Sequence, residues 1–205
     1  MPMVVLWTLS VLLVLGYYFV PSVAGVLGPL DRWQAEQGWL AAFASRFFFC
    51  GLLPGAFILT VRALRVRSPL LTVVAQSVWS GVCGVLSDAM YTSNAFLFGT
   101  GVDLVTLSAK TAVCQFVWTP FVFLPLGTLV YLWIGRDFSL TRCRGELSSA
   151  FRLAFCSNLL VNWAIWIPGS MLLHLFPTTL QIQLSGFANT FFALVLLKIG
   201  RGERS

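Results

Sequence analysis

Lys110, Gln115 and Pro120 stand at five-residue intervals in the stretch Lys-Thr-Ala-Val-Cys-Gln-Phe-Val-Trp-Thr-Pro, at the edge of a long apolar run. A lysine in that position can snorkel, its stem in lipid and its head group at the interface. It can also pair with an intramembrane acid. A buried glutamine hydrogen-bonds a neighbouring helix or lines a wet path. A proline removes a backbone donor and bends its helix, and a gate is the sharper reading of that bend. Asp88 is the acid within reach. It ends a stripe of Ser77, Ser80, Gly81, Gly84 and Ser87 whose three- and four-residue steps place them on one helix face. Small residues allow close helix approach in lipid, so the stripe predicts a tight helix contact. Intramembrane acids pair with bases, which predicts that Asp88 meets Arg46 or Lys110, with a proton or ion relay as the alternative. Asn158 and Asn162, four apart, share a face and bond a partner helix or line a cavity.

Other chemistry is thinly supported. His174 is the sole histidine. With no acid or cysteine near it in sequence, it makes neither a catalytic triad nor a metal site, and a surface or interfacial position is expected. The five cysteines (Cys50, Cys83, Cys114, Cys143 and Cys156) form no C-x-x-C pair and give no zinc spacing. No nucleophile–base pair, phosphate loop or cofactor motif is legible, so no enzymatic role, metal or cofactor is expected. Bound lipid is the one small molecule allowed for.

The elements that must carry these residues are membrane helices. The chain has 205 residues, 58% hydrophobic and 10% charged, with a mean hydropathy of +0.87. Soluble domains run at about 45–50% apolar and about 25% charged, so lipid must cover this surface. At about 20 residues per crossing, six apolar segments are read: Met3–Val20, Trp39–Val61, Pro69–Tyr91, Thr111–Ile134, Phe151–Ile167 and Thr178–Ile199. The expectation is an all-α polytopic membrane bundle in one domain, residues 1–205, with four to six segments crossing. The fifth is short and is the candidate to re-enter or lie at the interface. The first is taken as an uncleaved membrane helix, because no basic residue precedes Arg32.

The basic residues test this layout. Arg62, Arg65, Arg67, Arg136, Arg142, Arg144, Arg152, Lys198, Arg201 and Arg204 all fall on one side if every segment crosses, and the opposite connections hold only Arg32. Such a bias marks the cytoplasmic or matrix-like side. The net charge of +6 forms no basic stripe interleaved with aromatics, so nucleic acid is not an expected partner. Tryptophans near segment ends make an aromatic belt. Trp33 and Trp39, with Arg32, Gln34, Glu36 and Gln37, suggest a short interfacial helix.

In order along the chain, four pieces resemble the twenty-two-kilodalton peroxisomal membrane protein family, also called Mpv-seventeen-like. Pro69-Leu70-Leu71-Thr72 is similar to its opening, and Ser80-Gly81 followed by Asp88 to its S-G…G-D helix. Lys110, Gln115 and Pro120 match its K-x-x-x-D-Q-x-x-x-x-P signature in spacing. Asn162-Trp163 with Trp166, Pro168 and Pro177 resembles its N-[YW]-x-x-W-P…P stretch. The resemblance spans residues 69–199, and residues 1–68 supply N-terminal helices outside it. Cys114 stands where the family has an acid, Ser87 where it has glycine, Gln181 where it has a basic residue, and Phe192 near its late tryptophan. Ile167 separates Trp166 from Pro168.

The resemblance implies a small, non-enzymatic, channel-like integral protein of an organelle membrane. The mitochondrial inner membrane is favoured over peroxisomal or plastid membranes. Its partners would be lipids and, under the alternative reading, the other subunits of a respiratory or photosynthetic complex in which it is a structural accessory subunit. A transient assembly factor is a third reading. Under the channel reading, Asp88, Lys110, Gln115, Asn158 and Asn162 converge on a water-accessible path.

Overall fold

The computed structural model describes the backbone of residues 2–60 and 68–202, and the side chains of 8–56, 59, 68–144 and 158–190. Arg62, Arg65, Arg67 and Arg204 lie outside the described residues, as do the side chains of Arg152, Cys156, Phe192, Lys198 and Arg201.

The described chain is helical throughout. Helix α1 (Pro2–Phe19) meets α2 (Pro21–Gln37) at a bend of 99°. Val20 is extended there and Pro21 opens α2, a position where its missing N–H costs nothing. Helix α3 covers residues 39–60. It runs as α-helix over Trp39–Arg46, as π-helix over Phe47–Leu52 and as α-helix again over Leu53–Thr60. Then come α4 (Pro69–Phe98), α5 (Leu104–Gly135), α6 (Leu140–Leu173) and α7 (Thr178–Gly202). Helix α5 holds a π-helical insert at Cys114–Phe123.

Among the described residues, Trp39–Ala56, Pro69–Phe98 and Leu104–Gly135 are long and apolar enough to cross a membrane. The bent pair Thr8–Phe19 with Pro21–Gln37 makes a fourth if it counts as one span. Counting the bent pair, the described residues supply four of the four to six crossings expected from the sequence. Within α6 the described residues give the apolar stretch Asn158–Leu173, and the side chains of 145–157, which include the start of the fifth segment, lie outside the described ones. The second half of α7 lies outside the described side chains.

The stripe on α4 packs as its spacing predicts. Ser77, Ser80, Gly81, Gly84 and Ser87 are all buried against α3 or the helices behind it. A Cβ on Gly84 would collide with the Ala42 carbonyl, and one on Gly51 would collide with the Ser77 backbone. A Cβ on Gly55 would come within 2.5 Å of Val73 Cγ1. The pairings 42 with 84, 51 with 77 and 55 with 73 make α3 and α4 antiparallel. Arg46 meets Ser185, and Thr190 meets the Phe49 carbonyl, so α3 and α7 run parallel. The C-terminal ends of α3, α5 and α7 therefore share one end of the bundle with the starts of α4 and α6.

Two apolar clusters fill the interior. Val14, Leu27, Leu173, Phe176, Leu180 and Leu184 join α1 and α2 to α6 and α7. Ala42, Met90, Tyr91, Cys114 and Ile182 join α3, α4, α5 and α7. Trp33 near the end of α2 and Trp39 at the start of α3 stay exposed, and Gln34 turns inward and is buried.

Gly84→Ala should lower stability by about 1–3 kcal/mol, because backbone opposes the added methyl. Gly25, whose Cβ position is open, should tolerate alanine or gain up to about 1 kcal/mol. Unfolding of both variants in mixed micelles checks the contrast.

Candidate functional site

Arg46 ends the first α-helical stretch of α3, where the small face of α4 lets the two helices close over it. Its side chain is 7% exposed. Nη2 donates to Ser185 Oγ at 2.6 Å and to Ser87 Oγ at 3.4 Å. Nε is buried and has no acceptor. Among the described residues no carboxylate forms a salt bridge with Arg46. The predicted partner, Asp88, lies one residue beyond Ser87 and points to another neighbour. It accepts a hydrogen bond from Gln34 Nε2 at 3.3 Å. Gln34 in turn donates to the Gly38 carbonyl at 2.9 Å and accepts from Gln183 Nε2 at 2.7 Å. A one-residue step turns a side chain about 100° around a helix, which separates Ser87 from Asp88.

Lys110 also misses Asp88. It is 4% exposed, and Nζ reaches back toward the Gly101 carbonyl at 3.5 Å. Asp103, which caps α5, is the carboxylate that acts on it electrostatically. The Thr106 hydroxyl and backbone N–H hold the Asp103 carboxyl below the usual carboxylate range. Lys110 thus turns its head toward the α4–α5 connection while remaining buried.

Gln115 is the hub between α5 and α6. Its Nε2 donates to Ser170 Oγ at 2.8 Å, and its Oε1 accepts from Asn162 Nδ2 at 3.1 Å. Its backbone carbonyl accepts from Trp163 Nε1 at 2.8 Å. The π-helix and Pro120 explain this last bond. In a π-helix the carbonyl of residue i bonds the N–H of residue i+5, and Pro120 has no N–H. The carbonyl left over is that of Gln115, and the indole takes it. Thr119 Oγ1 likewise bonds the Cys114 carbonyl at 3.0 Å. In place of a simple proline bend, α5 carries a π-helical insert, with the freed Gln115 carbonyl met by a side chain. Pro168 sits within α6 without ending it.

These residues surround open space. A cavity of about 260 Å³ is lined by Arg46, Ser87, Gln115, Asn162, Ser170 and Ser185, among others. Trp166 forms part of its wall. A second cavity of about 390 Å³ lies between α5 and α6, with Asn158 and Tyr131 in its lining, and shares Phe123, Leu124 and Asn162 with the first. The fold thus brings together Arg46, Gln115, Asn162 and Trp166, with Asn158 at the neighbouring cavity. It leaves Asp88 and Lys110 out. Ser185 and Asn189 of α7 also line the first cavity, and nothing in their spacing singles them out in the sequence.

His174 is not at the surface. It is 2% exposed, in the turn between α6 and α7. Nδ1 lies 3.1 Å from Gln181 Oε1, and Nε2 lies 3.6 Å from Cys114 Sγ. Tyr91 meets the imidazole edge-on, and Asn94 Nδ2 donates to Cys114 Sγ at 3.0 Å. The fold therefore supplies the thiol–imidazole contact that the sequence hides, since sixty residues separate the two. The order thiol, imidazole, amide is that of a cysteine nucleophile with its base and orienting group. Cys114, His174 and Gln181 are each buried, and none of them lines either cavity. The trio ties α5 to the α6–α7 turn. Among the described residues no three His, Cys, Asp or Glu side chains converge as a metal would require.

No family model, curated protein or solved structure matches this chain.

Trp163→Phe should cost about 1–3 kcal/mol by stranding the Gln115 carbonyl. In a Pro120→Ala background that carbonyl has a backbone donor again, so the cost should shrink. A double-mutant cycle on micelle-unfolding free energies measures the coupling.

Proposed function

We propose that this protein is a non-enzymatic, channel-like integral membrane protein of an organelle membrane, the mitochondrial inner membrane being the location its family resemblance implies. One observation carries the reading: two neighbouring cavities that share Asn162 in their walls place polar side chains between largely apolar helices. Polar groups at membrane depth face a bundle interior or a water-filled path. The shared Phe123 and Leu124 would then form the constriction, next to the π-helical insert.

Purified protein in liposomes should pass small hydrophilic solutes. Asn162→Leu should reduce that flux several-fold, by replacing the polar group common to both cavities, without loss of the folded protein. Folded protein that passes no tested ion or metabolite would overturn the proposal.

The second reading, a structural accessory subunit of a larger membrane complex, is favoured by Cys114 and Gln181. They stand where the resembled family has charges, and both are spent on the buried contact with His174. It predicts co-purification with a large assembly in mild detergent. Migration only as a free species of monomer size would contradict it.

A further inference from the structure

Within the path proposed above, the solute class follows from the one charged side chain among the described residues of the cavity wall. We propose that Arg46 is the centre of a binding site for a small oxyanion, a carboxylate or phosphate group.

A guanidinium remains charged inside a protein, and a buried charge is normally paired. Arg46 is 7% exposed, and its acceptors among the described residues are two serine hydroxyls. Hydroxyls are neutral and leave the charge uncompensated. Nε has no acceptor at all. Asp88, the counter-ion expected from the sequence, is held by Gln34 on another line of contacts. An apolar side chain of similar volume would fill the place at lower cost, so as a packing residue alone Arg46 is unfavourable here.

The surroundings fit an anion. A guanidinium presents a planar fork matched to carboxylate and phosphate oxygens. Ser87, Ser170, Ser185, Asn162 and Gln115 line the same cavity, and hydroxyl and amide groups can donate or accept. No described acidic side chain lines it to repel a negative charge. At about 260 Å³ it falls below the roughly 300–1,000 Å³ of pockets for drug-sized ligands. It suits a phosphate ion or short carboxylate better than a nucleotide. The same chemistry could arrive as a free ion or as the phosphate of an anionic lipid.

The test uses the full chain in a neutral detergent at low ionic strength, with inorganic phosphate and acetate as probes. Each should raise the melting temperature saturably, while potassium supplied with a bulky non-binding anion should not. Arg46→Gln should weaken binding at least about tenfold, the loss expected for charge-assisted hydrogen bonds. Arg46→Lys keeps the charge without the fork and should bind between the two, which keeps the test open if the glutamine variant misfolds. Lys110→Gln, whose head group lies at the α4–α5 connection, should bind as the parent does. Displacement of phosphate by phosphatidic acid would assign the site to a lipid head group, and retention would assign it to a free ion. Equal phosphate binding by the Arg46→Gln variant, or equal stabilisation by every salt, would overturn the proposal. Binding without flux in liposomes would remove the channel and leave the site. Flux with no Arg46-dependent binding would remove the site and leave the channel.

Discussion

A guanidinium enclosed by helices must be solvated by whatever the packing brings to it, and here the packing of α3 on α4 decides what that is. Gly84 and Ser87 are small enough for α3 to approach until the Arg46 side chain lies between α4 and α7. The same approach directs Asp88 away, toward Gln34 and Gln183. Two polar systems result from one helix contact. One is closed on itself through amides, and the other keeps a cation facing open space.

The second half of the architecture rests on the π-helical insert in α5. Adding a residue per turn would normally leave carbonyls without partners, and Pro120 guarantees one. Trp163 meets the freed Gln115 carbonyl, Thr119 Oγ1 bonds the Cys114 carbonyl beside it, and the side chain of Gln115 reaches Ser170 and Asn162. π-Helical inserts recur at functional sites. This one turns a hydrophobic helix into the polar wall of a cavity while keeping its ends aligned for the bundle.

Much of this was legible in the sequence. The helical class followed from composition, and the contact face of α4 from the spacing of its serines and glycines. Gln115 and Asn162 were identifiable as cross-helix bonding groups because amides are rare in apolar runs. The pairing of charges was not legible. Asp88, Arg46 and Lys110 looked like partners because each lacked one nearby, but helix rotation put a different side chain at each place. His174 was misread for a related reason. Its partners Cys114 and Gln181 sit on other elements, and sequence distance gives no sign that the α6–α7 turn folds inward. Three helices, or four with the bent pair, are long and apolar enough to cross among the described residues, and the fifth and sixth apolar segments run into side chains outside them.

The account turns on whether an anion balances Arg46. A structure determined in selenate, read by anomalous scattering at the selenium edge, would locate such an ion directly. The account predicts a peak within hydrogen-bond distance of the Arg46 guanidinium, between α4 and α7. A carboxylate of the protein itself in that position, or a cavity with no selenium while the guanidinium bonds only protein groups, would contradict it.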